Sequence, residues 1–336
     1  MNSRYLGHLS DEDPLFWYLR YHIAPQLGFH ALQTGYRVFQ CVNSSDVYLY
    51  EEDQGRFRIV GKFSKPRPGR DPNMARIKAE TEFRNLIFLR SLGFTTAPNY
   101  VVRPLGFNHD LDNLLLVEHL GGGSLSRVIT DAIYNNQRQR LYRKLSALAE
   151  FLATLHNRTA GDWTVNFHEE MDYLGRLIHS LVEKRGLNPE HAGELWGLGS
   201  IWRSRNRMWE DRKVVVHGDA TPSNFLFGRG RVVMAIDLER MKWGDRVFDI
   251  GRVCGELKHF FFRATGNVWA AEPFIGHFLW EYAGHFPDRE SAFRSITRRL
   301  PFYMGLNLLR IARNSWVDGD YRWRLIQETK QLLRAK

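Results

Sequence analysis

Cysteine is scarce in this chain, and long apolar runs are absent from it. The 336 residues include two cysteines, Cys41 and Cys254, which lie far apart and form no C-x-x-C pair. A disulfide scaffold and a structural zinc site therefore have no support. No apolar run approaches the roughly 20 residues that a helix needs to cross a bilayer, and the acidic start of the chain lacks the apolar core of a signal peptide. We therefore expect an unexported, cytoplasmic protein without a membrane span.

Acidic residues are outnumbered by basic ones. The chain holds 47 lysines and arginines against 37 aspartates and glutamates, a formal net charge of +10. This excess favours an anionic partner, such as a nucleotide, a nucleic acid, an acidic metabolite or a lipid surface, without choosing among them. Apolar residues make up 43% of the chain and aromatic residues 13%, which is enough for a substantial core and excludes disorder as the main state.

The first part of the chain reads as strands around one helix. Residues 1–31 are rich in aromatic side chains and predict a helical extension. Three runs of β-branched and aromatic residues, separated by short polar turns, predict a three-stranded antiparallel meander over 36–42, 46–53 and 56–65. Helical spacing of apolar residues then predicts a helix over 75–93. Two more strand-like runs lead to a triple glycine.

Beyond the triple glycine at 121–123 the sequence turns mainly helical. Leucines spaced three or four apart over 141–159 predict a helix with one buried face. The helical part is interrupted at 213–239 by an apolar strand, a polar loop and a hairpin. We therefore predict a bilobal α+β unit, with a small β-rich N-lobe over residues 32–120 and a larger, mainly helical C-lobe over residues 121–336.

One polar loop carries the residues with the clearest chemical meaning. Residues 217–224 read H-G-D-A-T-P-S-N and follow an apolar strand, and Asp237 ends the returning strand of the next hairpin. Asp219, Asn224 and Asp237 are therefore expected to converge, with one carboxylate to orient or deprotonate a hydroxyl and two oxygen ligands for Mg²⁺. Such a set serves phosphoryl transfer, in which the protein mainly positions groups and neutralises charge. The alternative is a loop that is only braced by side-chain hydrogen bonds.

A lysine on the third strand bears on the same chemistry, because a kinase needs a cation held near the nucleotide phosphates. The period-two alternation of the strand places Val60 and Lys62 on one face and Ile59 on the other. Glu82 on the following helix is the predicted partner of Lys62. The alternative is that Glu82 forms a solvated pair with Lys78 on an exposed helix face.

These segments resemble the aminoglycoside phosphotransferase and choline kinase family, the small-molecule branch of the protein-kinase-like fold. The resemblance extends over about residues 35–260 and rests on IVGKF, ETEFRNLIFLRSLG, VVVHGDATPSNFLF, and VVMAIDLE with the GDRVFDIG that comes shortly after it. It implies an α+β fold with a small antiparallel sheet and one helix in the N-lobe and a larger, mainly helical C-lobe. It also implies an enzyme that uses ATP, or alternatively GTP, together with Mg²⁺.

The resemblance implies a role for each residue of the predicted site. Asp219 is implied to be the catalytic base or to orient the acceptor hydroxyl, and Asn224 and Asp237 are implied to bind Mg²⁺. Lys62 is implied to contact the α- and β-phosphates of the nucleotide, with Glu82 holding its ammonium group. The expected partners are thus a nucleotide and a small-molecule hydroxyl acceptor, and neither a nucleic acid nor a membrane.

The rest of the implied nucleotide site has weaker motifs. The turn after the first strand of the meander lacks a G-x-G-x-x-G sequence, so Ser44, Ser45 and backbone N–H groups are expected to contact phosphates there. Val60 is expected to face the nucleotide. The backbone around Glu118 and Leu120 is implied to pair with adenine.

The catalytic loop also differs from that of a protein kinase. Thr221 stands two residues after Asp219, where protein kinases usually carry a lysine or arginine, and Asp249 follows Asp237 by twelve positions without an A-P-E motif between them. A protein substrate is therefore disfavoured. The resemblance implies structural roles for two residues: His217 braces the loop, and Asp249 is buried and accepts hydrogen bonds from the loop backbone.

Charge is the only sequence feature that describes the acceptor. From Arg263 to the C-terminus there are 12 lysines and arginines and 7 aspartates and glutamates, which disfavours a cationic aminoglycoside and favours a neutral or anionic hydroxyl compound. We predict an ATP- and Mg²⁺-dependent phosphotransferase that moves the γ-phosphoryl group to a sugar, an amino alcohol, an aminoglycoside-like compound or an anionic metabolite. Two alternatives stay open, a catalytically weak kinase-like scaffold and, with only net charge in its favour, a nucleic-acid-binding protein.

Overall fold

The chain divides into two compact units. The computed structural model describes residues 3–30, 34–41, 46–66, 71 and 73–335. The first unit comprises Met1–Gly122 with Met234–Arg240, and the second comprises Gly123–Val233 with Met241–Lys336. The short segment that returns to the first unit carries Asp237.

The first unit is built mainly of strands. In chain order its elements are β1 (Ser3–His8), α1 (Pro14–Tyr18), β2 (Tyr36–Cys41), β3 (Val47–Glu52), β4 (Arg58–Lys62), α2 (Asn73–Ser91), β5 (Thr95–Thr96), β6 (Asn99–Val101), β7 (Pro104–Asn108) and β8 (Leu114–Glu118). Six strands form an antiparallel sheet in the order β1-β2-β3-β4-β8-β7, and β5 pairs with β6. The predicted meander is β2, β3 and β4, and the predicted helix is α2, so both predictions are confirmed.

The N-terminal segment contributes a strand to this sheet. β1 pairs antiparallel with β2. The predicted helical extension over 1–31 is therefore wrong for Ser3–His8, which lies in a sheet although its sequence contains no β-branched residue. Backbone partners offered by a neighbouring strand outweigh weak local propensity. Of the described residues in this segment, those over 14–27 form short helical turns.

The core of the first unit lies on one face of the sheet. Ile59 of β4 is fully buried there among aromatic side chains of β2 and β3. The N-terminal turns cover this face with the apolar residues Leu15, Phe16, Leu19 and Ile23. Because alternate residues of a strand point to opposite faces, the burial of Ile59 leaves Val60 and Lys62 on the other face, as predicted.

The second unit is mainly helical. In chain order its elements are β9 (Gly123–Ser124), α3 (Leu125–Tyr134), α4 (Arg138–Arg158), α5 (His168–Arg185), α6 (Pro189–Arg203), β10 (Val214–Val216), β11 (Phe225–Phe227), β12 (Val233–Ala235), β13 (Lys242–Gly244), α7 (Val247–Thr265), α8 (Glu272–Ala283), α9 (Arg289–Ala312) and α10 (Gly319–Leu333). Strand β12 begins in this unit with Val233, and its other two residues belong to the first unit. The helix predicted over 141–159 is α4. Among the described residues, no helix combines the length and the apolar character that a bilayer crossing demands.

Helix α7 is buried along nearly its whole length and packs closely on α9. Two glycines permit this approach. A Cβ atom at Gly251 would lie 2.3 Å from Cβ of Tyr303, and one at Gly255 would lie 2.8 Å from Nδ2 of Asn307. Larger residues at these positions would push the helices apart, because real side chains do not come so close. The polar side chains of α7 and α9 are therefore held near one another.

Candidate active site

The loop between β10 and β11 is shaped by a buried carboxylate. Asp249, in the first turn of α7, accepts hydrogen bonds from the backbone N–H groups of His217 at 2.6 Å and Gly218 at 3.0 Å. Gly218 has a φ of +77°, which glycine adopts without the strain that a Cβ would introduce. The predicted contact of Asp249 with the loop backbone is therefore confirmed.

His156, near the end of α4, extends this support. Its Nε2 lies 3.3 Å from Oδ2 of Asp249, and its Nδ1 lies 2.8 Å from the hydroxyl oxygen of Tyr282. Burial lowers the pKa of His156 although the neighbouring carboxylate opposes this, so the ring is neutral at neutral pH. Because a carboxylate can only accept, Nε2 carries the proton and Nδ1 accepts from the Tyr282 hydroxyl. His156 was not predicted from the sequence, where its signal was only a polar residue on an otherwise apolar helix face.

The loop is also braced by its own side chains. The buried ring of His217 packs on Phe225 with 5.1 Å between centroids, and the N–H of Asp219 lies 3.4 Å from Nδ1 of His217. Asn224 donates from Nδ2 to the backbone oxygen of Asp219 at 2.9 Å and accepts at Oδ1 from the Ser223 hydroxyl at 3.3 Å. The side-chain bracing foreseen as an alternative is thus present, and it fixes the backbone on both sides of the Asp219 side chain.

Two arginines contact the carboxylate of Asp219. Nη1 of Arg252 lies 2.6 Å from Oδ1 of Asp219, and Nη2 of Arg310 lies 3.2 Å from the same oxygen. The Asp219 side chain is 14% exposed, so it is reachable from solvent. Neither arginine was predicted, because they stand 33 and 91 residues from Asp219 and no local pattern connects them.

In the first unit, Lys62 lies between two carboxylates. Its Nζ is 2.6 Å from Oε1 of Glu82 and 2.7 Å from Oδ1 of Asp237. The predicted pair of Lys62 and Glu82 is therefore confirmed. The alternative pairing of Glu82 with Lys78 is wrong, since Nζ of Lys78 lies 2.7 Å from Oε2 of Glu239 instead.

The surroundings of Lys62 keep its side chain charged. Burial works against the ammonium form, but the carboxylates of Glu82 and Asp237 outweigh it and raise the pKa of Lys62 above its usual value. Burial in turn raises the pKa of Glu82, although Lys62 opposes this. A lysine that remains cationic is the state that contact with phosphate requires.

Asp237 belongs to a cluster of carboxylates with an unusual backbone. Its φ is +65°, in the left-handed region that few residues other than glycine adopt and that recurs at functional sites. Glu82, Asp237 and Glu239 each place a carboxylate oxygen within 4.8 Å of the others. Such oxygens fit a hard divalent cation. Asp237 was predicted as a ligand and the two glutamates were not, whereas Asn224, the other predicted ligand, belongs to the second unit.

The other predicted nucleotide contacts lie on β4 and at the end of β8. Val60 is buried. The N–H of Glu118 donates to the backbone oxygen of Arg103 at 3.0 Å, so only the carbonyl of Glu118 remains a candidate partner for adenine. Leu120, two residues further on, is half-buried. The predicted contacts that lie outside the described residues are Ser44 and Ser45.

Comparison with known sequences gives a match over most of the chain. A sequence model of a family described as "Phosphotransferase enzyme family" matches residues 37–285. An aminoglycoside 3'-phosphotransferase of Salmonella typhimurium is 26% identical over 111 residues, which are 32% of this chain and 40% of that protein. Another from Escherichia coli is 28% identical over 123 residues, which are 34% of this chain and 44% of that protein. The chain thus matches less than half the length of these relatives.

Solved structures are similar over nearly the whole chain. The ADP-bound aminoglycoside phosphotransferase APH(2'')-Ib has a TM-score of 0.56 and 14% identity, covering 93% of this chain and 97% of that one. An ethanolamine kinase of Plasmodium vivax has a TM-score of 0.55 and 16% identity, covering 96% and 85%. The choline kinase LicA of Streptococcus pneumoniae has a TM-score of 0.52 and 16% identity, covering 86% and 90%. At these identities the similarity shows the fold, and it confirms the predicted protein-kinase-like α+β class.

Proposed function

This chain belongs to the phosphotransferase enzyme family, and from that premise we propose that it transfers the γ-phosphoryl group of ATP to a hydroxyl group of a small molecule. Mg²⁺ is the proposed metal cofactor, and GTP is the alternative nucleotide. The observation that carries the proposal is the Lys62 ammonium held at 2.6 Å from Glu82 and 2.7 Å from Asp237. A cation fixed in this way on a strand is suited to the phosphates of a nucleotide.

Each proposed group has a defined part in the transfer. The acceptor hydroxyl donates a hydrogen bond to the carboxylate of Asp219, which orients the hydroxyl oxygen for attack on the γ-phosphorus and receives its proton. As the new O–P bond forms, the bond from the γ-phosphorus to the β–γ bridging oxygen breaks and ADP leaves. Lys62 donates to oxygens of the α- and β-phosphates. Asn224 and Asp237 are the proposed ligands that would hold Mg²⁺, and the cation would neutralise charge at the phosphates. The carboxylate oxygens of Glu82 and Glu239 beside Asp237 support Asp237 as a ligand.

The comparisons support the nucleotide and the class of acceptor. One similar structure is described as ADP-bound, and another as a ternary complex of an aminoglycoside phosphotransferase with streptomycin and ATP. Other similar proteins are named ethanolamine and choline kinases. We therefore propose a small hydroxyl compound as acceptor, from the group of sugars, amino alcohols, aminoglycoside-like compounds and anionic metabolites.

An ADP-release screen over aminoglycosides, amino alcohols, sugars and sugar phosphates tests this proposal. We expect Mg²⁺-dependent ADP release by the wild type and a loss of about 100-fold in Asp237→Asn, because the amide offers the cation a neutral oxygen in place of a charged one. A thermal-shift titration with ATP and Mg²⁺ is the second measurement. If neither ADP release nor stabilisation is observed, the protein is a kinase-like scaffold and the proposed activity is wrong.

Glu82→Gln is expected to weaken the use of ATP. The variant leaves Lys62 with Asp237 as its charged partner, and we expect KM for ATP to rise by about 10-fold, since a hydrogen bond to a charged group is worth about that factor or more. The matched control is Glu80→Gln, because Glu80 lies on the same helix and pairs with Arg84 at the surface. Initial rates at varied ATP concentrations give KM for ATP. The same KM for ATP in Glu82→Gln and Glu80→Gln would contradict a role for Glu82 in holding Lys62.

A further inference from the structure

The carboxylate of Asp219 lies in a cluster of charged side chains. Arg252 and Arg310 both contact its Oδ1, at 2.6 and 3.2 Å. Nη1 of Arg310 also lies 3.2 Å from Oε1 of Glu256, which accepts a further hydrogen bond from Nδ2 of Asn307 at 3.3 Å. Two guanidinium groups are thus placed directly beside the residue that is proposed to contact the acceptor hydroxyl.

The packing of two helices brings the arginines together. Arg252 and Glu256 lie on α7, and Arg310 lies on α9. The two helices approach closely at Gly251 and Gly255, where a Cβ would collide with α9. The close packing of α7 and α9 therefore places both arginines within reach of one carboxylate oxygen of Asp219.

The cluster sets two guanidinium groups against two carboxylates, one of which is weakened by burial. Burial raises the pKa of Glu256, although Arg310 opposes this, so Glu256 holds its negative charge less firmly than an exposed carboxylate does. Burial and the positive charge of Arg252 lower the pKa of Arg310. The two guanidinium groups thus repel one another, and an additional negative group beside them would relieve that repulsion.

The arginines also keep donors available for a ligand. A guanidinium group has five N–H donors. Within the described part of the chain, the contacts with Asp219 and Glu256 use one donor of Arg252 and two donors of Arg310. The Arg310 side chain is 18% exposed and that of Arg252 is 4% exposed, so a bound molecule would reach chiefly Arg310.

Building on the proposed function, we propose that Arg252 and Arg310 bind an anionic group of the acceptor, a phosphate or a carboxylate, next to the hydroxyl that Asp219 orients. A hydroxyl oxygen about 3 Å from Asp219 lies within roughly 6 Å of both guanidinium groups, which an anionic group a few bonds away can span. Guanidinium groups bind phosphate and carboxylate through paired hydrogen bonds. A cationic acceptor instead meets like charges at this distance.

The first test compares acceptors of similar shape and different charge. Wild-type protein receives ATP and Mg²⁺ with glucose, glucose 6-phosphate, glucuronate or glucosamine, and ADP release is measured. We expect kcat/KM for the phosphate or the carboxylate member to exceed that for glucose and glucosamine by about 10-fold or more, and the better of the two anions identifies the anionic group. Preference for glucosamine, or equal turnover of all four compounds, overturns the inference.

The second test needs no turnover and covers acceptors of another shape. The protein is saturated with ADP and Mg²⁺ and then titrated with inorganic phosphate, acetate or tetramethylammonium while the unfolding temperature is followed. We expect an anion to stabilise the wild type and Arg310→Gln to weaken its apparent affinity by about 10-fold. Arg294→Gln is the matched control, since Arg294 lies on the same helix, is exposed and pairs with Glu290. Equal anion shifts in the two variants, or a shift with tetramethylammonium alone, overturn the inference.

The two proposals fail in different ways. If ADP and Mg²⁺ give no shift, the proposed function is wrong, whereas an ADP shift that no anion enlarges contradicts the anion site alone. Arg310→Lys separates charge from structure, because it keeps the positive charge and loses the paired geometry. Partial anion affinity in Arg310→Lys supports the assignment. If Arg310→Gln and Arg310→Lys both lose all anion affinity and both unfold at a lower temperature, Arg310 is a structural residue and the proposed anion site is wrong.

Discussion

Asp219→Asn is expected to lower kcat for phosphoryl transfer by about 10²- to 10⁴-fold, the usual contribution of a positioned acid–base group. The amide keeps the size of the side chain but cannot accept the hydroxyl proton. The loop itself should persist, because His217 and Asn224 contact the backbone N–H and oxygen of residue 219, which the substitution retains. Acceptor-dependent ADP release gives the rate, and a thermal-shift titration shows whether affinity for ATP and Mg²⁺ is unchanged.

A matched variant separates this effect from a general loss of charge. Asp320→Asn removes an exposed carboxylate from the first turn of α10, and we expect it to leave both rate and stability unaltered. A loss below about 10-fold in Asp219→Asn would show that Asp219 does not act by taking up the hydroxyl proton. A loss that comes with reduced nucleotide affinity would place the damage in the fold.

Asp249→Ala is expected to lower the free energy of unfolding by about 3–5 kcal/mol, because three buried donors lose their acceptor at about 1–3 kcal/mol each. The substitution leaves the N–H groups of His217 and Gly218 without their acceptor and removes the partner of His156, all in the interior. Buried donors without acceptors are strongly disfavoured. Urea denaturation followed by fluorescence gives the free energy, and transfer activity should fall with it because the loop that carries Asp219 loses its support.

The control for Asp249→Ala is a carboxylate at the surface. Asp162 is exposed in the same unit, and Asp162→Ala should change the free energy of unfolding by less than about 0.5 kcal/mol. Asp249→Asn provides a graded case, since the amide keeps one acceptor oxygen for the two N–H groups. A ranking in which Asp249→Asn is as stable as the wild type would contradict the view that the carboxylate holds the loop.

Local patterns were sufficient for the part of the site in the first unit. The alternation of β4 predicted that Ile59 faces the core and Lys62 the opposite side, because the side-chain period of a strand is a property of its backbone. Helical spacing predicted α2 and led to Glu82 as the partner of Lys62, which the 2.6 Å contact confirms. Ser3–His8 could not be predicted in this way, since it becomes a strand only through pairing with β2.

In the second unit the loop was predictable and its surroundings were not. H-G-D-A-T-P-S-N marks a loop with a distinct chemical purpose, and the resemblance to a known family correctly implied that Asp249 supports it. His156 reaches the same carboxylate from α4, and two arginines reach Asp219 from α7 and α9. Residues of these types are common on helices, so nothing in their own neighbourhoods distinguishes them.

The sequence by itself determined which reactive groups this protein has and on which local element each one lies, since the periods of strands and helices and the geometry of turns follow from neighbouring residues. Only the tertiary structure decided which of those groups meet. The carboxylate of Asp219 is joined by Arg252 and Arg310 across 33 and 91 residues, because α7 and α9 pack together at Gly251 and Gly255. Packing of that kind depends on the shapes of two whole helices, so the sequence near either arginine does not reveal that it contacts Asp219.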